Sequence, residues 1–407
     1  MDAVSKDALM SLGEQQLLMI EQLHQFCKIN SGTENLAGLA SMHDTLSQAF
    51  SPIADTLETH TPTPIATINM SGEQSIQTCG NTLFVSRRPK LKQRILLVGH
   101  MDTVYPKDSA FQELSQITDN HLNGPGVADM KGGLVVMINA LKAFEKTYLA
   151  PSLGWDVLIN ADEETGSLAS SALIEKIIPN YQAALVYEPT INPAGTLAKN
   201  RKGNGKLTLV ATGVSAHAGR AFYEGRNAIC YLAEAIMHIH ALNGKRDGVT
   251  INVGKIAGGS ALNVVPDKAV VKLDVRINQP EDEHWVFEQL NMLINKLKRD
   301  DYSLTMYGSF DRPVKRINSG TTRLFNRIQD MGQQIGLTIN WEDSGGCCDG
   351  NNLARNGLPV IDTLGVRGGA IHSPDEFILL DSLVERASLS TLLLMDLAKG
   401  GFEASGS

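Results

Sequence analysis

Asn160-Ala161-Asp162-Glu163-Glu164-Thr165-Gly166-Ser167 places two adjacent carboxylates directly after an apolar run, which ordinary packing does not require. The residues before it, Trp155 to Asn160, are few and rich in β-formers, so they read as a buried strand; Gly166-Ser167 followed by Ala169, Ala172, Leu173 and Ile177 reads as a helix start. Glu163 and Glu164 then stand at the carboxyl end of a strand, the edge at which open α/β sheets bind ligands. Neighbouring residues of an extended stretch point in different directions, so one carboxylate can bind a metal while the other stays free as a base. Taken alone, the pair also reads as a solvated acidic turn that caps the next helix.

Upstream, Arg94-Ile95-Leu96-Leu97-Val98 has the composition of a central strand and runs into Gly99-His100-Met101-Asp102-Thr103-Val104. A strand-end His with Asp two residues on suits a metal ligand whose second ring nitrogen is held by the carboxylate, and equally a hydrogen-bonded turn histidine. Gly124-Pro125-Gly126-Val127-Ala128-Asp129-Met130-Lys131-Gly132-Gly133 then precedes an apolar helix from Leu134 to Tyr148. Glycines crowded around one Asp suit backbone in unusual conformations that carries a carboxylate into a tight place. A phosphate-cradling loop would need GxGxxG or GxxxxGK(S/T), and neither is present. Downstream of the Glu pair, the buried strand Ala183 to Tyr187 ends at Glu188-Pro189-Thr190. Near the carboxyl terminus the strand Pro359 to Thr363 leads into a Gly-rich loop that carries Ala370-Ile371-His372-Ser373-Pro374-Asp375-Glu376.

The rest of the chain frames these stretches. Its 407 residues exceed the usual size of a single core, so two domains are expected. With 43% hydrophobic and 20% charged residues the composition is that of a soluble globular protein. A net charge of −8 and the absence of a long Lys/Arg stripe speak against a nucleic-acid partner. Five cysteines without CxxC spacing imply free thiols in a reducing, cytoplasmic compartment, and neither a signal-like start nor a membrane-length apolar run occurs.

Apolar positions at helical spacing (Leu17, Ile20, Leu23, Phe26) make Leu9 to Ile29 a packing helix, and Leu36 to Phe50 repeats the pattern. Ile65 to Met70 and Thr82 to Ser86 read as strands. After Arg201 come a strand (Lys206 to Gly213), a helix (Arg226 to Leu242), two strands (Thr250 to Ile256, Ala269 to Ile277), a helix (Glu283 to Leu297) and a strand (Ser303 to Tyr307). This βαββαβ order is that of a ferredoxin-like unit, inserted because mixed α/β sequence resumes after Pro313. A helix over Thr321 to Ile335, a strand over Leu337 to Trp341 and a closing helix over Asp381 to Lys399 complete the α/β reading. The expected domains are 1–201 with 314–407 as the catalytic part, and 202–313 as a lid and dimerisation part.

His100, Asp129, Glu164, Glu188 and His372 are each expected at, or in a Gly-rich loop near, a strand end of one sheet, and five N/O ligands suffice for two zinc ions sharing a carboxylate. The chain resembles the dizinc aminoacylase and carboxypeptidase family that includes acetylornithine deacetylase, succinyl-diaminopimelate desuccinylase and the bacterial glutamate carboxypeptidases. The resemblance rests on His100 to Tyr105, Gly124 to Gly133, Asp162 to Ser167, Glu188 to Thr190, Ser215-Ala216-His217-Ala218-Gly219 and Gly369 to Ser373, and covers nearly the whole chain.

That resemblance implies a zinc-peptidase-like catalytic domain, with Asp129 bridging two Zn2+ ions, His100 and Glu188 completing one site and Glu164 and His372 the other. Co2+ or Mn2+ would be possible substitutes. It further implies that Asp102 orients His100, that Glu163 is the general base, and that His217 reaches a neighbouring subunit's active site in a homodimer formed through the lid. A cis peptide after Asp129 is also implied. The glutamate carboxypeptidase branch is the nearest, with Asn263, Arg276 and Arg312 matching groups that bind a substrate carboxylate and an N-acyl-amino-acid deacylase as the alternative; the expected partner is a small amino-acid or peptide substrate. Cys347-Cys348 departs from the pattern, since such relatives tend to carry Gly or Ser there.

Overall fold

The strand Arg94–His100 has no polar side chain between positions 95 and 98, and both of its faces are covered. Ile95 and Leu97 enter one hydrophobic cluster, Leu96 and Val98 another, as the two-residue period of a strand requires when helices pack on both sides of a sheet. A computed structural model describes residues 3–400, and in it this strand lies inside a six-stranded mixed sheet. The order is Thr56–His60, Thr82–Arg87, Gly154–Asn160, Arg94–His100, Ala183–Val186 and Val360–Ile361. The last four run parallel, and the first two are antiparallel to their neighbours. His100 pairs with Asn160 and Val98 with Val186, so three strands end almost level.

On one face Asp381–Ala398 packs on Gly133–Glu145, with Ala3–Glu14 and Gln16–Cys27 against them; Ser171–Ile177 and Asp349–Ala354 cover the other. The helix Leu36–Phe50 forms where its apolar spacing places it. The amino-terminal run is two helices broken at Gln15, which leaves Leu17 exposed while Met19, Leu23 and Phe26 are buried. Following the Glu pair, Gly166 (φ 108°) and Ser167 (φ 54°) are left-handed, so the helix begins only at Ser171, while Asp162 accepts from the N–H groups of Ala169 and Ser170. The strand expected over Leu337 to Trp341 is instead Trp341–Ser344, paired in parallel with Leu197–Arg201; Gly336, at φ 76°, turns the chain back so that Leu337 and Ile339 pack on the preceding helix as loop residues.

Gly203–Thr212, Lys268–Ile277, Thr250–Gly258 and Ser303–Arg312 form a separate four-stranded antiparallel sheet. The helices Ala228–His240 and Glu281–Leu297 cover one face of it with their own apolar core. The opposite face turns to the larger sheet's domain: Asn204, Lys206 and Arg276 line a cleft at one end. At the other end Val210 and Val270 lie under the hairpin Ile65–Ile68/Gln74–Gln77, whose Gly72 is so close that a Cβ there would lie 3.0 Å from Val210 Cγ1. The chain crosses between the units at two points that are stitched together, because Arg201 and Lys315 exchange both backbone hydrogen bonds at 3.1 Å. Among the described residues no helix is long and apolar enough to cross a membrane.

Candidate metal centre

His100 is the last residue of its strand, Glu163 and Glu164 lie in the single helical turn Glu163–Thr165 after Gly154–Asn160, and Glu188 follows Ala183–Val186 by two residues. Because those strands end level, the four side chains meet at one rim. Asp129 arrives from the Gly-rich loop ahead of Gly133–Glu145, and the Asp129–Met130 peptide is cis. His372 corrects the expectation of one common sheet. It sits in the left-handed region (φ 63°) on a hairpin of a small second sheet, Gly368–Gly369, Phe377–Leu379, His121–Asn123 and Ser115–Thr118, and is brought over the rim from outside.

The two oxygens of Asp129 face the two imidazoles. Oδ1 lies 3.1 Å from His100 Nε2, and Oδ2 lies 3.2 Å from His372 Nε2. Each imidazole has a second carboxylate on its far side, Glu188 Oε1 at 3.6 Å from His100 and Glu164 Oε2 at 3.3 Å from His372. Two ligands on a tetrahedral zinc with bonds of ~2.0–2.1 Å are about 3.3 Å apart, so these separations fit an ion between each nitrogen and its carboxylates. Potential ligand atoms of His100, Asp129 and Glu164, and of His100, Glu163 and Glu188, all fall within 4.8 Å of one another.

The electrostatics agree. Burial works against ionising Asp129, yet the hydrogen bonds from His100 and His372 hold its carboxyl well below the usual range. Burial raises Glu164 to about 7, with the Asp129 charge adding to it, and burial likewise raises Glu188. Hydrogen bonds to Asp129 and Glu164 push His372 up to about 11. Glu164 Oε1 is buried with no hydrogen-bond partner. Several buried carboxylates thus share two imidazole protons, a group that two divalent cations in place of those protons would satisfy. The all-N/O donor set suits zinc.

The carboxylates around the centre that do not face the imidazoles hold backbone. Asp102 Oδ1 accepts from the N–H of Glu163 and Oδ2 from that of Glu164, both at 3.2 Å, and Thr33 Oγ1 donates to Oδ2. His100 Nδ1 is 2.9 Å from the Asp102 carbonyl oxygen and 3.4 Å from its carboxylate, so the backbone is the nearer acceptor. Glu376, which sequence reasoning did not single out although it lies in the quoted His372 stretch, accepts from the N–H groups of Gly126, Ala128 and Asp129 and from the Tyr105 hydroxyl.

A cleft of about 530 Å³ opens beside the centre. Glu163, Glu164, Glu188 and His372 line one side, Lys206, Arg276 and Arg312 the other. Arg312 is buried, its Nη2 2.6 Å from Glu163 Oε1 and its Nη1 3.1 Å from Asp349 Oδ1. Burial pushes the Glu163 carboxyl well above the usual range against that positive charge. Arg276 is paired with Asp274 on its own strand, and Lys206 Nζ donates to the Thr165 carbonyl at 2.6 Å. His217 and Asn263 are exposed neighbours, linked by the Ala218 N–H to the Asn263 carbonyl, and neither lines the cleft of this chain.

Residues 96–396 match the family described as Peptidase family M20/M25/M40. Carboxypeptidase G2 of Pseudomonas sp. (strain RS-16) is 25% identical over 389 residues, covering 95% of this chain and 91% of the relative. A putative succinyl-diaminopimelate desuccinylase DapE of Mycobacterium tuberculosis (strain ATCC 25618 / H37Rv) is 30% identical over 301 residues, 70% of this chain and 77% of that protein. Among solved structures, an M20 family metallo-carboxypeptidase, Sso-CP2 from Sulfolobus solfataricus, superposes with a TM-score of 0.71 at 16% identity, covering 94% of this chain and 99% of that one. Aminopeptidase PepT from Bacillus cereus ATCC 10987 gives 0.70 at 21%, with the same coverage.

Proposed function

Because the chain belongs to peptidase family M20/M25/M40, a family of hydrolases acting on amide bonds, we propose that it hydrolyses an amide next to a free amino-acid carboxylate, as a glutamate-type carboxypeptidase does. The observation that carries this reading is the pairing of Asp129, with one oxygen toward each imidazole, with a buried Glu163 that faces a cationic wall across the cleft. His100, Asp129 and Glu188 would hold one zinc, and Asp129, Glu164 and His372 the second. When bound, the ions supply Lewis acidity that polarises the scissile carbonyl and makes water acidic near neutral pH.

Glu163 does the proton work: its carboxylate accepts the proton of the attacking water and returns it to the leaving nitrogen. Its burial-raised affinity for protons suits that task. Arg312 stands against it and, with Arg276 and Lys206, provides cations for the carboxylate end of the substrate; a guanidinium fork receives a carboxylate through two N–H groups. His217 and Asn263 lie outside the cleft on the inserted unit, near exposed Phe222, Tyr223 and Leu262 and the edge strand Thr250–Gly258. That placement supports a homodimer in which a second copy receives them, which light scattering checks: a monomer that persists at micromolar concentration would remove His217 from the reaction. Five free cysteines support a reducing, cytoplasmic setting, tested by fractionating cells of the source organism.

The reaction is tested by amino-acid release from a panel of N-acyl amino acids and dipeptides ending in Glu, using zinc-loaded protein. Glu163→Gln should lower kcat by about 10²–10⁴-fold with metal content unchanged. The best substrate separates a carboxypeptidase from an N-acyl-amino-acid deacylase. Turnover that survives both chelation and Glu163→Gln would exclude this site as its source, and no release from any substrate would favour a silent binding relative.

A further inference from the structure

We propose that Cys347 is a positioning residue whose thiol ties the catalytic part to the inserted unit and aims the Arg276 guanidinium into the cleft. The proposal rests on the function just stated, in which Arg276 meets the substrate.

Arg276 lies near the end of Lys268–Ile277, on the sheet face turned to the metal centre. Its Nε donates to Asp274 Oδ1 at 2.7 Å and its Nη2 to Asp274 Oδ2 at 3.2 Å, and Asn204 Nδ2 fixes that carboxylate at 3.0 Å. Asp274 alone leaves the fork free to pivot about the shared edge, since both contacts are on one side of the guanidinium plane. The third contact comes from across the cleft: Nη1 donates to Cys347 Sγ at 3.3 Å. The thiol hydrogen goes to the Lys202 carbonyl at 3.0 Å, at the first crossing between the two units. One sulfur therefore accepts from the cleft arginine and donates to the crossing strand. One N–H on each terminal nitrogen of Arg276 remains for a ligand.

The same short stretch positions the second cleft arginine. Cys348 Sγ accepts from the Gly350 N–H at the start of Asp349–Ala354, and Asp349 in turn accepts from Arg312. Both guanidiniums are thus set from Cys347–Gly350. A side chain without a polar atom at 347 would leave Arg276 held only by its own strand, and ligand binding would bear the cost of ordering it. Rate would change little, because Cys347 touches neither the metal ligands nor Glu163.

The experiment compares Cys347→Ala and Cys347→Ser, alone and combined with Arg276→Met, on the best substrate of the panel. Cys347→Ala should raise KM about tenfold with kcat within about twofold, as loss of one hydrogen bond to a charged group allows. Cys347→Ser, which keeps a donor for Lys202 and an acceptor for Arg276, should restore most of that affinity. In the Arg276→Met background the Cys347→Ala change should do nothing further. An unchanged KM in Cys347→Ala, or a full additional loss in the Arg276→Met background, overturns the proposal.

A readout independent of turnover is alkylation of Cys347 by iodoacetamide, followed by peptide mass. The thiolate attacks carbon, iodide leaves, and the thiol proton passes to solvent. Removing the adjacent cation in Arg276→Met, or moving it in Arg276→Lys, should slow labelling several-fold, because a neighbouring positive charge favours the thiolate. An unchanged labelling rate in both would show that the guanidinium does not rest on the sulfur. If the wild-type protein releases nothing from the panel, the substrate reading fails and the labelling rates still decide this one.

Discussion

Asp362→Asn is the most demanding test of how the two units are joined. The Asp362 carboxylate is fully buried between both chain crossings: Arg201 Nε donates to Oδ2 at 2.9 Å, Arg201 Nη2 to Oδ1 at 3.0 Å, and Lys315 Nζ to Oδ2 at 2.6 Å. Arg201 and Lys315 are themselves buried, so removing the negative charge leaves two cations in the interior with one carboxamide oxygen between them. Breaking a buried pair from one side costs about 3–5 kcal/mol, and here one anion serves two cations, so about 4 kcal/mol is expected even though Asn keeps the shape. That is a large part of the ~5–15 kcal/mol that stabilises most domains.

The assay is urea unfolding of zinc-loaded protein, followed by both tryptophan fluorescence and far-UV circular dichroism, which must coincide before a single free energy is assigned. Trp341, on the strand beside Leu197–Arg201, reports on this region. Burial opposes ionisation of Asp362, but Arg201 and Lys315 prevail and hold its carboxyl below the ordinary value. Its stabilisation is therefore complete above the unfolded carboxylate pKa of about 3.9 and disappears only as pH falls below that, through the folded value. The penalty of Asp362→Asn should be flat from pH 8 to pH 5. A penalty under about 1 kcal/mol, or one that fades within that range, would refute the account.

Two further outcomes follow from the metal centre. Glu376→Gln turns an acceptor for three backbone N–H groups into a carboxamide that serves them poorly, so the Asp129 loop loosens; zinc affinity, read by competition with a chromogenic chelator, should fall about 10–100-fold. Zinc binding must also displace the His372 proton, held up to about 11, and the proton on Glu164, held up to about 7, so affinity should rise with pH between 6 and 8, with proton release on titration of apo-protein in weak buffer; pH-independent affinity would contradict the ligand set.

What could be read from the amino acids alone divides along a physical line. Arg94 to Val98, Trp155 to Asn160 and Ala183 to Tyr187 are legible because a strand covered on both faces must be apolar throughout, and the residue that ends such a run is conspicuous. Thr56–His60 carries no such mark: it is a largely exposed edge strand of mixed composition. The hairpin that delivers His372 belongs to a small sheet of short strands, two to four residues each, which periodicity does not resolve. Glu376, Asp349 and Asp362 look like surface acids in the sequence because their burial depends on distant partners, as with the Ala128 N–H that meets Glu376 across 248 positions.

Asp102 shows how such distant partners build the centre. The spacing His100-x-Asp102 suggests a carboxylate that orients the imidazole, yet the carbonyl of Asp102 stands nearer to Nδ1, and the carboxylate is occupied with the N–H groups of Glu163 and Glu164, 61 and 62 positions later. Glu376 does the same for Asp129. The acids of this region therefore fall into two groups: those that face the imidazoles, and those that accept backbone hydrogen bonds from the turns on which the first group is mounted. The division has a physical reason. Strand ends alone place a turn to within an ångström or so, whereas dinuclear coordination needs ligand positions held more closely than that, and a buried carboxylate accepting two or three backbone N–H groups is among the stiffest ways to fix a turn without a second metal or a disulfide.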